Sequence, residues 1–287
     1  MRNLAADWPA LRTWDREYLL SRYGDHRVNA AIGLPAHGVP FLATERGVRR
    51  AMTLRSFWDE MDRAGRCYLE QQVLSGFPGL ESDLRMADLV GVDPRLEPNL
   101  WLGRGTKSGL HFDPADNFFV MIRGHKLVVM AAPSEIMRLY PFLDTLMKSR
   151  LDVERPDFAR FPRAADAEMH VGRLAAGDLL YIPAGWWHYV SSAADDHHLS
   201  VNCWFGEELP LSFMARNLLR LGPRYAARLA ADFVVRGLLH RPFVERFHSL
   251  PDGVKLYRQL RGRRPRDDAA VLDHPPHRTA LDPYMRP

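Results

Sequence analysis

"GLHFDPADNFFVMIRGHK", residues 109–126, opens with an imidazole and a carboxylate one residue apart, His111 and Asp113. It runs through apolar residues and closes on Gly124, His125 and Lys126. Strand side chains alternate with a period of two, so a His-x-Asp pair in an extended segment presents both groups to one face. That placement suits two neighbouring ligands of a metal ion, and equally a polar strand edge. The stretch is therefore half of a metal site or the solvated end of a sheet, and the rest of the chain has to choose.

Short apolar runs punctuated by Gly, Pro or Asp recur around it, at 99–102, 110–113, 117–122, 126–131, 179–182, 188–191 and 199–205. Many short strands with turn signals predict a sandwich or barrel of the jelly-roll type, and 39–44 and 67–74 read as further strands. Upstream, residues 9–23 set Leu11, Trp14, Tyr18 and Leu19 at helical spacing and stop at Gly24. Residues 52–65 predict a second helix, with Thr53 as N-cap, Leu54, Phe57, Trp58 and Met61 on one face, and Gly65 at the end. "SEIMRLYPFLDTLM" (134–147) reads as helical and "DVERPDFARFPRA" (152–164) as a Pro-broken insertion. Beyond Pro210, "LSFMARNLLRLG" and "RYAARLAADFVVRGLLHR" read as amphipathic helices that close the end of the barrel or form a dimer surface. The expected division is a catalytic domain over 1–209 (β core about 66–206), a helical region over 210–265 and a loosely ordered tail over 266–287.

With 287 residues, 46% hydrophobic and 26% charged, the chain has ample material for a globular core. Cys67 and Cys203 lie far apart without CxxC spacing, which points to a reducing, cytoplasmic setting. No apolar run approaches the ~18 residues of a membrane span, and no membrane association is expected. The net charge of +4 is uneven: residues 210–287 hold 15 Lys/Arg against 7 Asp/Glu, or +8, leaving −4 for the first 209. The basic part reads as a solvated helical face, or as a surface for nucleic acid or an acidic partner.

A third ligand should come from a later strand lying beside the first. "AAGDLLYIPAGWWHYV" (175–190) supplies His188 at the head of a predicted strand. Two His and one Asp make the facial triad that leaves three positions of an octahedral iron open. His197 and His198, in the Asp-rich "ADDHHLS", read as an exposed loop, and His125 and His170 as structural or surface residues.

"HFDPADNFFVMIRGHKLVVMAAPSE", "GDLLYIPAGWWHYVSS" and "LSVNCWF", together with "WPALRTWDREYLLSRYGDHRV" and "CYLEQQ", resemble the JmjC-type, cupin-like hydroxylases. The likeness covers residues 8–206 and leans toward the asparaginyl hydroxylase that acts on hypoxia-inducible factor and its bacterial relatives. It implies a mainly β fold with helices, a double-stranded β-helix using Fe(II), 2-oxoglutarate and O2 and releasing succinate and CO2. Carried over by position, His111, Asp113 and His188 are the implied iron ligands. Lys126 is the implied partner of the far carboxylate of 2-oxoglutarate, with Ser108 and Tyr68 reaching the same group. Asn117 and Asn202 line that pocket, and Trp204 lies near its mouth. Arg104, Trp186 and Arg155 are substrate-contact candidates, and no side chain beyond the iron site need act as a catalyst.

The substrate expected is a side chain of a peptide or protein. A modified tRNA base, a small molecule, or a silent metal- and ligand-binding role are the alternatives, with a homodimer formed through the C-terminal helices. Relatives carry a "PVVL"-type strand ahead of the segment that begins here at Trp8, so the outer sheet is expected to lack that strand or the start to lie further upstream.

Overall fold

The computed structural model describes residues 1–34, 49–90, 97–242 and 250–261. Among the described residues ten strands carry the fold: β1 (Arg27–Ile32), β2 (Arg49–Thr53), β3 (Cys67–Val73), β4 (Asn99–Arg104), β5 (Asp116–Arg123), β6 (His125–Ala131), β7 (His170–Ala175), β8 (Leu179–Ile182), β9 (Trp187–Ser191) and β10 (His197–Phe205). A large sheet runs β2-β1-β3-β4-β10-β5-β8 and a small one β7-β6-β9, with every pairing antiparallel. Isolated bridges Lys107↔Ser191, His111↔His188 and His111↔Lys148 extend the small sheet beyond β9. The outcome is the jelly-roll sandwich expected from the short, turn-punctuated strands.

Strand parity decides what each face carries. In β10, Leu199, Val201 and Cys203 join a core with Leu100 and Leu102 of β4, Val120 and Ile122 of β5, and helix residues Trp14, Leu54, Phe57, Trp58 and Met61. Each such large side chain taken from water contributes roughly 1.5–3 kcal/mol. The alternate residues His198, Ser200 and Asn202 are equally buried but polar, and they face the inside of the sandwich. The small sheet splits the same way. Val129, Ala131, Trp187 and Tyr189 pack into an outer core with Leu110, Phe112, Ile136 and Leu139, whereas Lys126, Val128 and His188 turn inward. Apolar residues thus bind the sheets to their coverings, and the interior carries the polar groups beside a smaller apolar cluster of Phe119, Met121, Val128 and Leu174.

Several expectations are corrected. The single helix over 9–23 is two, Pro9–Thr13 and Arg16–Tyr23. Asp15 separates them because its carboxylate caps the second by accepting from Tyr18 N–H at 2.8 Å. The predicted helix over 134–147 is only a 3-10 turn, Pro133–Met137. Pro141 and the left-handed Tyr140 (φ 45°) stop its continuation, and Pro141 bridges to Ser149 instead. The predicted strand over 110–113 reduces to the single bridge at His111. β1, β2 and β7 lacked a period-two signal strong enough to be read; five of the six β7 residues are exposed. The helix Leu54–Ala64 forms as expected, with Thr53 capping Ser56 N–H at 3.1 Å and Gly65 left-handed at its end. The strand predicted over 39–44 and the tail over 266–287 lie outside the described residues.

Cys67 and Cys203 are buried thiols, neither in a disulfide. Residue 1 lies along the outer edge of β8, exchanging backbone hydrogen bonds between Met1 and Leu179 at 2.8 and 3.0 Å. Helices Leu211–Leu221 and Pro223–Ala231 follow β10, and the second runs on into a π-helical turn, Asp232–Leu238, where one continuous helix was expected. This region docks on Phe112 and on residues 139–150. Phe213 packs edge-on to Phe112 at 5.8 Å, Tyr225 donates to Pro141 O at 2.8 Å, and Asp252, at the head of helix Asp252–Leu260, accepts from Leu146 N–H at 2.6 Å. Among the described residues no helix is long and apolar enough to cross a membrane.

Candidate metal centre

His111 and His188 are 77 positions apart, yet each donates its backbone N–H to the other's carbonyl, at 3.0 and 2.6 Å. This reciprocal antiparallel pair fixes the two imidazoles side by side, ring centroids 4.2 Å apart. Asp113, two residues on, sits between them, with His111 Nε2 3.8 Å from Oδ1 and His188 Nε2 3.6 Å from Oδ2. The three donor groups lie within 4.8 Å of one another, a spacing a metal ion can bridge.

The hydrogen bonds behind the rings settle which nitrogens face inward. His111 Nδ1 lies 2.8 Å from Gly109 O and His188 Nδ1 3.1 Å from Trp186 O. A carbonyl only accepts, so each Nδ1 carries the proton and each Nε2 presents a lone pair to the centre. Burial, reinforced by the neighbouring His188 and opposed by Asp113, lowers His111 to about 4, so it is the neutral, ligating form that exists near pH 7. Trp204 donates its indole N–H to Asp113 Oδ2 at 2.9 Å. The sequence placed Trp204 at the pocket mouth; its observed contact is with the triad's carboxylate, which it orients.

Deeper in the sandwich, Lys126 is 1% exposed, and its ammonium donates to Ser200 Oγ at 3.0 Å. It lies 4.9 Å from the ring centre of Phe119 and 5.6 Å from that of Tyr68. Among the described residues no carboxylate pairs with it. Burial alone brings it down from 10.5 to about 7, the response of a cation without a counter-ion. Burial also raises the Tyr68 phenol well above its usual value.

Asn202 donates to Asn117 Oδ1 at 3.0 Å and accepts from Trp101 Nε1 at 2.6 Å, a satisfied network on the inner face. Ser108 accepts from Val190 N–H at 2.9 Å, leaving its own hydroxyl proton to give. Trp186 is half-buried, its ring 6.3 Å from His170, and Arg155 is exposed. Arg104 is not brought to the centre; its guanidinium is held at 2.7 Å by Ala194 O. The exposed-loop reading of His197 and His198 is overturned: both begin β10, and His198 is 1% exposed, bonded through Nε2 to Thr106 Oγ1 at 2.8 Å. Ser200, Trp101 and Thr106 were not foreseen. The parity of "HLSVNCW" contained the signal for Ser200, two residues before Asn202 on the same face.

Two observations test the site against the groups the resemblance implies. Two imidazole lone pairs and one carboxylate are a donor set that iron accepts with positions to spare, and a buried ammonium lacking an anion fits the far end of a small dicarboxylate. Both fit.

A family model described as a cupin-like domain matches residues 1–209. The chain is 32% identical over 209 residues to "Lysine-specific demethylase 8" of Xenopus tropicalis, covering 69% of this chain and 45% of that protein. It is 31% identical over 215 residues to "Jumonji C domain-containing protein 5" of Drosophila melanogaster, covering 71% and 53%. A shorter stretch of 88 residues is 40% identical to "tRNA wybutosine-synthesizing protein 5" of Gallus gallus, covering 31% and 27%. The chain spans about half the length of the longer-matching of these relatives. These matches show a likeness to JmjC proteins and do not single out the asparaginyl hydroxylases among them.

Proposed function

Because the chain belongs to the cupin-like JmjC family, we propose that it is an Fe(II)- and 2-oxoglutarate-dependent oxygenase hydroxylating a side chain of a peptide or protein. The observation that carries this reading is Lys126: a buried, unpaired ammonium on the same inner surface as the triad has a use once a dicarboxylate arrives. Bound iron supplies the oxidative chemistry, coupling conversion of 2-oxoglutarate to succinate and CO2 to oxidation of the substrate by O2.

The chain's own residues bind and orient. His111, Asp113 and His188 would hold the iron, and Trp204 keeps the Asp113 carboxylate turned toward it. Lys126, supported by Ser200, would anchor the far carboxylate, with the Tyr68 phenol and the Ser108 hydroxyl as further donors. The Asn117–Asn202 pair walls the pocket, and the Phe119 and Tyr68 rings shield it from water. Trp186 and Arg155 remain the rim residues proposed to meet substrate. A protein side chain is favoured over an RNA base because the long matches are to proteins named for lysine demethylation or the Jumonji C domain, while the match named for tRNA spans 31% of the chain. The helical region from residue 210 is taken as an addition to the catalytic domain. A homodimer formed through it is supported by the exposure of Leu219, Leu239 and Leu260.

Anaerobic addition of Fe(II) and 2-oxoglutarate should produce a visible charge-transfer band in wild type and none in Asp113→Ala. Its absence in wild type, or its survival in the variant, would sink the assignment. Mass spectrometry of host proteins treated with the loaded enzyme should find peptides one oxygen heavier. Oxidised RNA with unmodified peptides would reverse the substrate choice.

A further inference from the structure

The inner face of β10 is a ladder of polar side chains in steps of two. Trp204 holds Asp113 of the triad, Asn202 meets Asn117 and Trp101, Ser200 meets the Lys126 ammonium, and His198 comes last. The rungs run from the candidate metal centre toward the far end of the pocket, and His198 lies one step beyond the rung that holds Lys126. Its ring is 5.7 Å from that of Tyr68, over which the Lys126 ammonium lies at 5.6 Å.

His198 is 1% exposed, and only one of its two ring nitrogens has a partner. Nε2 lies 2.8 Å from Thr106 Oγ1, which is 3.0 Å from Ser192 Oγ, and Ser192 Oγ accepts from Thr106 N–H at 3.0 Å. Nδ1 is buried with no hydrogen-bond partner. A buried polar atom left unpaired is costly, and an apolar side chain of similar size would avoid that cost. The hydroxyl chain accommodates a ring protonated at Nδ1: Ser192 donates to Thr106 Oγ1, Thr106 donates to Nε2, and the ring proton stands on the other nitrogen. Burial, aided by the charge of Lys126, lowers His198 well below its usual value, so the ring is neutral near pH 7.

We propose that His198 is a further cosubstrate contact, its Nδ1–H donating to the far carboxylate of 2-oxoglutarate beside Lys126. The inference rests on the reading of this pocket as a 2-oxoglutarate site. A carboxylate offers about four lone-pair sites, more than an ammonium already bonded to Ser200 can fill. A neutral N–H adds a donor without placing a second positive charge beside that ammonium. Thr106 and Ser192 hold the ring from behind, so the donor is set in place before the anion arrives.

Calorimetric titration of the full chain loaded with Mn(II), under argon, reads 2-oxoglutarate binding without turnover. His198→Gln keeps an amide near the place of Nε2 and removes the donor at Nδ1, whereas His198→Asn keeps an amide near Nδ1 and gives up the Thr106 contact. Affinity for 2-oxoglutarate should fall about tenfold or more in His198→Gln, the loss of one hydrogen bond to a charged group. It should stay within about threefold of wild type in His198→Asn, and Mn(II) affinity should hold in both, since neither variant touches the triad. Equal losses in the two variants, wild-type affinity in His198→Gln, or Mn(II) binding that falls in step would overturn the proposal and leave the 2-oxoglutarate site standing. No 2-oxoglutarate binding by wild type would overturn both. Should the variants fail to fold, the wild type still decides. In the Zn(II)-loaded protein an imidazole N–H proton with a cross-peak to the Tyr68 ring should move downfield on adding 2-oxoglutarate, and one that stays in place would overturn the proposal.

Discussion

Replacing Lys126 by methionine should make the metal-free protein more stable and less able to bind its cosubstrate. The fall of the ammonium from 10.5 to about 7 corresponds to roughly 5 kcal/mol of preference for the neutral amine at about 1.4 kcal/mol per pH unit. At pH 7 the unfolded chain holds that proton while half of the folded molecules have lost it, so the lysine costs folding about 4 kcal/mol. Methionine keeps the apolar stem and forfeits the hydrogen bond to Ser200, worth about 1 kcal/mol. The expected gain is roughly 2–4 kcal/mol, read from chemical denaturation of the metal-free proteins at pH 7. Removing the buried charge from a paired carboxylate should in turn weaken 2-oxoglutarate by roughly 2–5 kcal/mol, or ~30-fold to several thousandfold. A variant less stable than wild type, or one binding 2-oxoglutarate within threefold of it, would refute the argument that Lys126 is an anion site waiting for its anion.

The same lysine sets a pH dependence. Between about 7 and 10.5 the folded amine is neutral while the unfolded one is still charged, so stability rises with pH through that window and the gap between wild type and Lys126→Met should close there by up to about 1.4 kcal/mol per pH unit. Over the same range wild-type affinity for 2-oxoglutarate should fall, approaching tenfold per unit, because binding must restore the proton; a flat calorimetric profile would contradict this. Trp204→Phe keeps the ring but loses the N–H that holds Asp113, and Mn(II) titration should show metal affinity reduced about 10–100-fold. Gly103→Ala would put a Cβ 2.6 Å from Cys67 O, 2.7 Å from Thr106 Cγ2 and 2.9 Å from Tyr68 Cδ2. Thermal unfolding should register about 1–3 kcal/mol of overpacking, with 2-oxoglutarate binding weakened as Tyr68 is pushed aside.

The strands nearest the centre were legible because each is an apolar run bounded by a turn, and β5, β6, β8, β9 and β10 fall within two residues of their expected places. Edge strands β2 and β7 bury little and offer too little apolar pattern to read. The triad residues could be nominated from spacing and resemblance, but their adjacency depends on the bridge joining residues 111 and 188, which no local pattern encodes. His198 was misread for a related reason. Its acidic flanks signal solvent, and only its pairing opposite Gly103 in the middle of a seven-stranded sheet removes it from water. Trp204 was legible as an aromatic on the right strand, but its indole bond to Asp113 requires the fold.

The bridge between His111 and His188 also bears on how the protein matures. The two imidazoles become neighbours only when β9 has been laid beside the 107–111 segment, after the intervening chain, residues 112–187, has been arranged. Contacts of such separation carry a high loop-closure penalty and are characteristic of slow-folding β proteins. Nascent or partly folded chains therefore hold one imidazole and one carboxylate in proximity and lack the third donor, a set too weak to retain metal against the completed one. With the triad as the proposed ligand set, metal retention would act as a checkpoint on assembly, and the loaded fraction in a preparation would count the molecules whose small sheet has closed.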